Sequence, residues 1–106
     1  MSTISQDQDV MTLINVFTVV PEKCDELVKA LIDATNSTMR HIDGFVSANI
    51  HRSDDGTRVI NYAQWASVAD FRAMQNNPDA APHMARAAEL AESFEPILCR
   101  VIDTFP

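Results

Sequence analysis

Two strand-like segments joined by a short turn constrain the fold of this chain more than any other feature. Phe45–Arg52 and Arg58–Trp65 show the residue preferences and alternation of half-buried β-strands. The five residues between them, Ser53–Thr57, include Gly56, which can supply the positive φ angle of a hairpin turn. The sequence therefore predicts an antiparallel sheet with this hairpin as part of it.

The second strand of the hairpin places polar groups on an apolar face. Residues two apart on a strand share a face, so Asn61 and Trp65 project from the same side as Val59 and Ala63. A buried asparagine costs about 1–3 kcal/mol unless it is hydrogen-bonded. Two explanations stay open: an asparagine bonded to nearby backbone beside a core tryptophan, or a pocket that holds a polar ligand.

The remaining segments place the hairpin within a β-α-β-β-α-β order. Clean alternation predicts a first strand, apolar spacing of three and four predicts amphipathic helices, and Pro96 indicates an edge or a bulge in the last strand. The predicted elements are a strand over Met11–Val19, a helix over Glu22–Arg40, a short helix capped by Ser67, a helix from Pro78 to about Glu92 with Met84, Ala85, Ala88 and Ala91 inside, and a strand over Phe94–Phe105. This order predicts an α+β, ferredoxin-like fold.

One face of such a sheet has no helices to cover it. The face with Asn61 and Trp65 is expected to lie under the helices, and the other face would exceed the roughly 300–600 Å² apolar patch of a typical monomer. A second copy of the sheet is the simplest cover, so we expect a homodimer whose sheets pack face to face into an α+β barrel. The predicted outer residues are Ile14, Val16, Val46, Ala48, Ile50, Ile60 and Tyr62.

Length and charge limit the classes of function. The 106 residues fit one domain, which we expect to span residues 10–106 after a disordered tail over residues 1–9. Fifteen acidic and eight basic residues give a net charge of −7, which disfavours nucleic-acid binding. Neither a signal peptide nor an apolar run of about 20 residues is present, so we expect a cytoplasmic protein that does not enter a membrane.

Several common site chemistries lack their residues. Cys24 and Cys99 are far apart in sequence and are expected to be reduced thiols. The chain has only two glycines, so it has no phosphate-binding glycine loop. Its three histidines show no metal-ligand spacing, and no metal site is expected.

The predicted topology instead collects hydrogen-bonding groups in an apolar space under the helices. Asn15 on the first strand is expected to face the same space as Asn61 and Trp65, which makes these three the candidate catalytic residues. Amide and indole N–H donors in apolar surroundings suit stabilisation of an oxyanion on a flat aromatic ligand. The candidate substrate-binding residues are Phe17, Phe45, Phe71 and Met74 as walls, with His83 and Arg86, near Met84, towards the mouth.

The chain contains three motifs, which are Asn15–Val19, Gly44-Phe45, and Asp55-Gly56-Thr57 followed by Val59–Trp65. By these motifs the chain resembles the antibiotic biosynthesis monooxygenase family. The resemblance spans roughly residues 11–105. It implies a dimeric ferredoxin-like barrel and a cofactor-independent oxygenase that uses O₂, without flavin, haem or metal, to convert a small phenolic or anthrone-type aromatic substrate of polyketide origin into a quinone.

The resemblance also implies roles for individual residues. Asn61 and Trp65 match the asparagine and tryptophan of the oxygenase site, Asn15 matches a first-strand asparagine, and Arg86 approximately matches a helix arginine. Phe71 stands where a related polyketide hydroxylase has a tyrosine, so that phenolic proton donor is absent here. The base that would deprotonate the substrate is left open between His51, His83 and water.

Two other functions remain in view. Haem-degrading oxygenases of the same fold pair a first-strand asparagine with a helix histidine, and Asn15 and His83 fit that pattern. Those relatives also carry a helix tryptophan, whereas the residue nine positions beyond Trp65 is Met74, which argues against haem. The third function is a non-catalytic dimer that binds a small ligand, because a fold alone does not establish activity.

Overall fold

A computed structural model describes residues 2–106 and has the predicted order of elements. Four strands form one antiparallel sheet in the order β2-β3-β1-β4. The elements are β1 (Met11–Thr18), α1 (Pro21–Ser37), a 3₁₀ turn (Met39–His41), β2 (Phe45–Arg52), β3 (Arg58–Trp65), α2 (Val68–Gln75), α3 (Ala81–Leu90) and β4 (Ser93–Cys99). The α+β, ferredoxin-like prediction is confirmed.

The hairpin and the start of α2 follow their sequence signals closely. Both hairpin strands have the predicted bounds, and Gly56 in the turn between them has a φ of +73°. Ser67 caps α2: its Oγ accepts a hydrogen bond from the Asp70 backbone N–H at 3.1 Å. Short polar side chains and glycine therefore set these local boundaries.

A β-bulge in β2 changes which of its residues face the helices. Phe45 pairs with Trp65 and Ser47 with Gln64, so Val46 is an extra residue between them. The alternation is shifted beyond this point, and Ala48 and Ile50 pack into the core under the helices. The prediction that Ala48 and Ile50 lie on the outer face was wrong, because strict alternation does not allow for an inserted residue.

The third helix begins later than predicted. Asn77 Oδ1 accepts a hydrogen bond from the Asp79 N–H at 2.8 Å, and this turn at the Asn77-Pro78 step precedes α3, which starts at Ala81. The buried residues of α3 are consequently Ala87 and Leu90, with Met84 and Ala91 half-buried. The predicted inner position Ala85 is exposed, whereas Ala88, although exposed, borders the cavity under the helices.

The last strand is shorter than predicted. β4 ends at Cys99, which pairs with Thr12 near the beginning of β1. Because β1 begins at Met11, residues 100–106 have no β1 residues with which to continue the pairing. Their β-propensity alone does not extend the strand. β4 is an edge strand, as the presence of Pro96 suggested.

The core under the helices consists of two clusters rather than one. The first lies around Trp65, Phe71 and Met74, and the second around Phe17 and Leu27. Residues of both clusters border the space between them, which positions a cavity at the middle of the sheet.

The outer face of the sheet combines a polar cluster with apolar side chains. Gln64 is only 1% exposed, donates to the Thr3 carbonyl at 2.6 Å and accepts from Ser47 Oγ at 2.6 Å. Ser2 donates to Asn49 Oδ1 at 2.9 Å. Residues 2–9 of the predicted tail contain no helix or strand, and Met1 lies outside the described residues. The half-buried or exposed apolar residues of this face are Ile14, Val16, Ile60, Tyr62 and Ile97.

Within residues 2–106, no helix combines the length and apolar character that crossing a bilayer requires.

Candidate active site

A cavity of about 350 Å³ lies between the inner face of the sheet and the helices. This volume is at the lower end of the range of small-molecule sites, about 300–1,000 Å³. Its walls are mainly apolar. The lining residues that the sequence predicted are Asn15, Phe17, Phe45, Asn61, Trp65, Phe71, Met74, His83 and Met84.

Asn15 and Asn61 form a cross-strand pair in the cavity lining. They are direct partners in the register between β1 and β3, with both side chains on the inner face. The side-chain oxygen of each amide is buried and has no hydrogen-bond partner among residues 2–106. Two buried amide oxygens without partners are costly in a folded protein, so their place in the cavity lining calls for an explanation.

Trp65 lies at the end of the same strand, two pleats from Asn61. It is 3% exposed, and its ring packs edge-on against Phe45 at 5.6 Å between centroids, with Phe71 at 6.3 Å. Its indole N–H makes no hydrogen bond to any other part of the described chain. Aromatic neighbours thus hold the ring in the lining and leave its one donor without a protein acceptor.

His83 reaches the cavity from α3 and is anchored on its outer side. Its Nε2 lies 2.9 Å from the hydroxyl of Thr38, the residue that ends α1. His83 is half-buried and lines the cavity. The described lining contains no other imidazole, and it has no carboxylate, amine or thiol.

Two predicted candidates lie elsewhere. Arg86 is exposed and forms ion pairs with Glu26 at 2.5 Å and Glu89 at 3.8 Å, outside the cavity lining. The Glu26 carboxylate on α1 holds this arginine outside the lining, so the structure does not bring it together with the other predicted site residues. His51 is exposed near the end of β2 and is also absent from the lining.

Comparison with known proteins identifies the family of this chain. Residues 10–90 match the family described as antibiotic biosynthesis monooxygenase. The chain belongs to the antibiotic biosynthesis monooxygenase family. It is 48% identical over 105 residues to the tetracenomycin-F1 monooxygenase of Streptomyces glaucescens, covering 99% of this chain and 93% of that protein. The family and this relative make the protein an oxidoreductase of the monooxygenase type.

Solved structures agree with this family assignment. The monooxygenase from the gene ActVA-Orf6 of Streptomyces coelicolor, in complex with the ligand nanaomycin D, superposes with a TM-score of 0.82 at 26% identity, covering 91% of this chain and 90% of that one. SnoaB, a cofactor-independent oxygenase from Streptomyces nogalater, superposes with a TM-score of 0.74 at 24% identity, covering 93% of this chain and 99% of that one. At 24% identity, the similarity to SnoaB shows a shared fold.

Twelve residues that line the cavity were not predicted from the sequence. Pro96 faces Asn15 across the β1–β4 register, a contact that required knowledge of the strand order. The lining residues that lie on α1 share one helix face, and their spacing of three and four along the sequence could have identified them. The lining residues not predicted are Leu13, Leu31, Ala34, Thr35, Met39, Ala48, Ala63, Gln75, Ala87, Ala88, Phe94 and Pro96.

Proposed function

We propose that this protein is a cofactor-independent monooxygenase that oxidises a phenolic or anthrone-type aromatic compound to a quinone with O₂. The observation that carries the proposal is the Asn15–Asn61 pair, whose buried amide oxygens lack partners in an apolar cavity. The 48% identity to a tetracenomycin-F1 monooxygenase supports an aromatic polyketide as the substrate class.

The two amides suit the charge that develops in this reaction. Each amide offers N–H donors and one acceptor oxygen, so the pair can hold a phenolic or carbonyl group before and after it becomes an anion. The apolar walls keep the local dielectric low and strengthen such hydrogen bonds. One oriented donor of this kind typically contributes a factor of about 10²–10³ to the rate.

The reaction balances without an added reductant. The bound substrate loses a proton, and its anion passes one electron to O₂. The two radicals combine into a peroxide at the reacting carbon, which takes up a proton. Loss of water then breaks the O–O bond and one C–H bond and leaves the quinone carbonyl, so one oxygen atom enters the product and the other leaves as water.

Trp65 is placed to act on the oxygen species. Its N–H has no protein acceptor, and it lies on the same face of β3 as Asn61. A donor at this position would orient superoxide or the peroxide next to the substrate carbon. The rings of Phe45 and Phe71 keep the indole in that orientation.

We propose further that the protein acts as a homodimer through the outer face of its sheet. No helix covers this face in the described chain, and Ile14, Val16, Ile60 and Tyr62 are only half-buried there. A second sheet would remove these side chains from water, at about 25 cal/mol for each Å² of apolar surface buried.

Oxygen uptake with dithranol-like anthrones and simple hydroquinones tests the proposal. We expect uptake by the wild type, with quinone as the product, and strongly reduced uptake by Asn61→Ala and Trp65→Phe. Asn36→Ala, on the exposed side of α1, is the matched control and should behave as wild type. Equal uptake by all four proteins would remove the site assignment.

Two outcomes would favour the other functions. Absence of uptake by any protein, with ligand binding retained, would favour a non-catalytic binding dimer. A Soret band that appears on addition of haem and disappears in His83→Ala would favour a haem protein.

A further inference from the structure

A reaction that begins with loss of a proton requires a base in the cavity, and the lining offers one candidate. Of the 21 residues around the cavity, His83 is the one that carries an imidazole. The others are apolar residues, amides, a threonine and the indole. Imidazole is the side chain that enzymes use most often for general acid–base catalysis.

Two hydroxyl groups at the end of α1 lie near Nε2 of His83. Ser37 Oγ donates to the Asp33 carbonyl oxygen at 2.8 Å. The Thr38 hydroxyl lies 3.3 Å from Ser37 Oγ, which can accept from it. Nε2 of His83 lies 2.9 Å from Thr38 Oγ1, and the donor in this pair depends on the tautomer of the ring.

The tautomer with its proton on Nε2 leaves the other ring nitrogen free to act as a base. In a neutral imidazole of this kind, Nδ1 carries the lone pair. Nδ1 of His83 makes no hydrogen bond within the described residues. The Nε2 proton would be donated to Thr38 at the end of α1, 45 residues away.

We propose that His83, with its proton on Nε2 towards Thr38 and its lone pair on Nδ1, is the general base that deprotonates the aromatic substrate. The proposal rests on the quinone-forming function above and names the base of that reaction. The substrate C–H or O–H proton moves to Nδ1, which gives an imidazolium and the substrate anion. After O₂ has added, the same proton returns to the peroxide oxygen, so His83 ends the cycle neutral and water carries both hydrogens away.

The charged side chains on the neighbouring elements either form ion pairs away from the cavity or lie on the far side of Thr38 from it. Arg86, one turn further along α3, pairs with Glu26 of α1 and with Glu89. A polar depression on the other side of Thr38 is bordered by four ionisable residues, His41, Asp43, Asp70 and Asp79. None of these groups belongs to the cavity lining, so the imidazole is the side chain there that can take up the substrate proton.

Kinetics with substrates of graded acidity test the role of His83. We expect His83→Gln to lower kcat/KM about 10²- to 10⁴-fold, the usual contribution of a general base. The loss of kcat/KM should be smaller for more acidic phenols, and smaller as the pH rises towards the pKa of each substrate. Under these conditions the substrate gives up its proton to water and no longer needs the protein base. Binding of the quinone product should change less than about threefold, roughly the effect of less than one hydrogen bond. His51→Gln, an exposed histidine outside the cavity, is the control.

The tautomer can be tested without turnover. Two-bond ¹H–¹⁵N correlation spectra of histidine-labelled protein should show His83 protonated on Nε2. Thr38→Val, which keeps the shape and removes the hydroxyl, should give a mixture of tautomers and lower kcat/KM roughly 2- to 10-fold, as expected for loss of one hydrogen bond.

The outcomes separate this proposal from the function on which it rests. No oxidation of any substrate by the wild type would overturn the proposed function. Oxidation by the wild type, with an unchanged rate and pH profile in folded His83→Gln, would overturn His83 as the base and leave the function standing. A deficit that is the same for every substrate acidity would also overturn it, because a structural defect does not depend on how readily the substrate ionises.

Discussion

Replacing the cavity asparagines by leucine should make the protein more stable and less active. Asn61→Leu keeps a side chain of similar size on the inner face of β3 and removes an amide whose oxygen is buried without a partner. The same argument applies to Asn15→Leu on β1. Most buried substitutions destabilise a protein, so a gain in stability would be a distinctive result.

The expected magnitude follows from the missing hydrogen bonds. An unsatisfied buried amide costs about 1–3 kcal/mol. We therefore expect the free energy of unfolding to rise by about that amount in Asn61→Leu, which corresponds to roughly 4–8 °C in Tm per kcal/mol for a domain of this size. Because Asn15 and Asn61 are direct partners, the double variant should not show the sum of the two gains.

Asn49 provides a matched control on the neighbouring strand. Its amide donates to the Tyr62 carbonyl at 3.0 Å and accepts from Ser2 Oγ at 2.9 Å. Asn49→Leu should lose both bonds and about 1–3 kcal/mol of stability. Urea unfolding followed by circular dichroism measures the stabilities, and oxygen uptake with an anthrone measures the activity, which should fall about 10²- to 10³-fold in Asn61→Leu.

A loss of stability in Asn61→Leu as large as that in Asn49→Leu would refute the reasoning. It would mean that the Asn61 amide is bonded within the protein and has a structural role. Unchanged oxygen uptake in a stabilised Asn61→Leu would separate the strained amide from the chemistry and remove it from the site.

Three further predictions concern the turns and the outer face. Hydrogen bonds from residues of its own turn lower the pKa of Asp55 from 3.8 to about 2, so its contribution to stability is complete above pH 3.8 and lost as the pH falls towards 2. The stability advantage of wild type over Asp55→Asn should disappear over that range in acid-dependent urea titrations, and an advantage constant in pH would exclude the ionisation as its source. Gly44→Ala should destabilise by more than about 1 kcal/mol, since φ is +88° and a Cβ would collide with Asp70. Gly56→Ala, with φ of +73° and only ordinary van der Waals contact with Pro21, should cost less in thermal melts. Ile60→Asp on the outer face should shift the protein from dimer to monomer in sedimentation experiments without unfolding it, and a dimer that persists would place the interface elsewhere.

Local signals predicted the strands and turns, whereas features that depend on a partner segment were missed. The bounds of β2 and β3 follow from alternation and from Gly56, which are properties of neighbouring residues. The bulge at Val46 arises only when β2 pairs with β3, so alternation alone assigned Ala48 and Ile50 to the wrong face.

The site shows the same division. Asn15, Asn61 and Trp65 could be grouped from sequence, because residues of one parity on a strand share a face and the predicted topology put both strands under the helices. The pairing of Thr38 with His83, and of Glu26 with Arg86, depends on how α1 packs against α3. The spacing of residues in the sequence does not predict that packing. The sequence therefore named His83 as one candidate base but gave no reason to prefer it to His51 or water.

The two asparagines stand on the central strands, whereas much of the chamber above them is built by helices. Exchanging Leu31, Met39 or Met84 for smaller or larger side chains would resize that chamber and leave the strand register unchanged. Under the proposed function, a few substitutions on α1, its 3₁₀ extension and α3 would therefore admit aromatic molecules with more or fewer fused rings. A scaffold divided in this way would let the range of bound molecules evolve while the two asparagines stay in place.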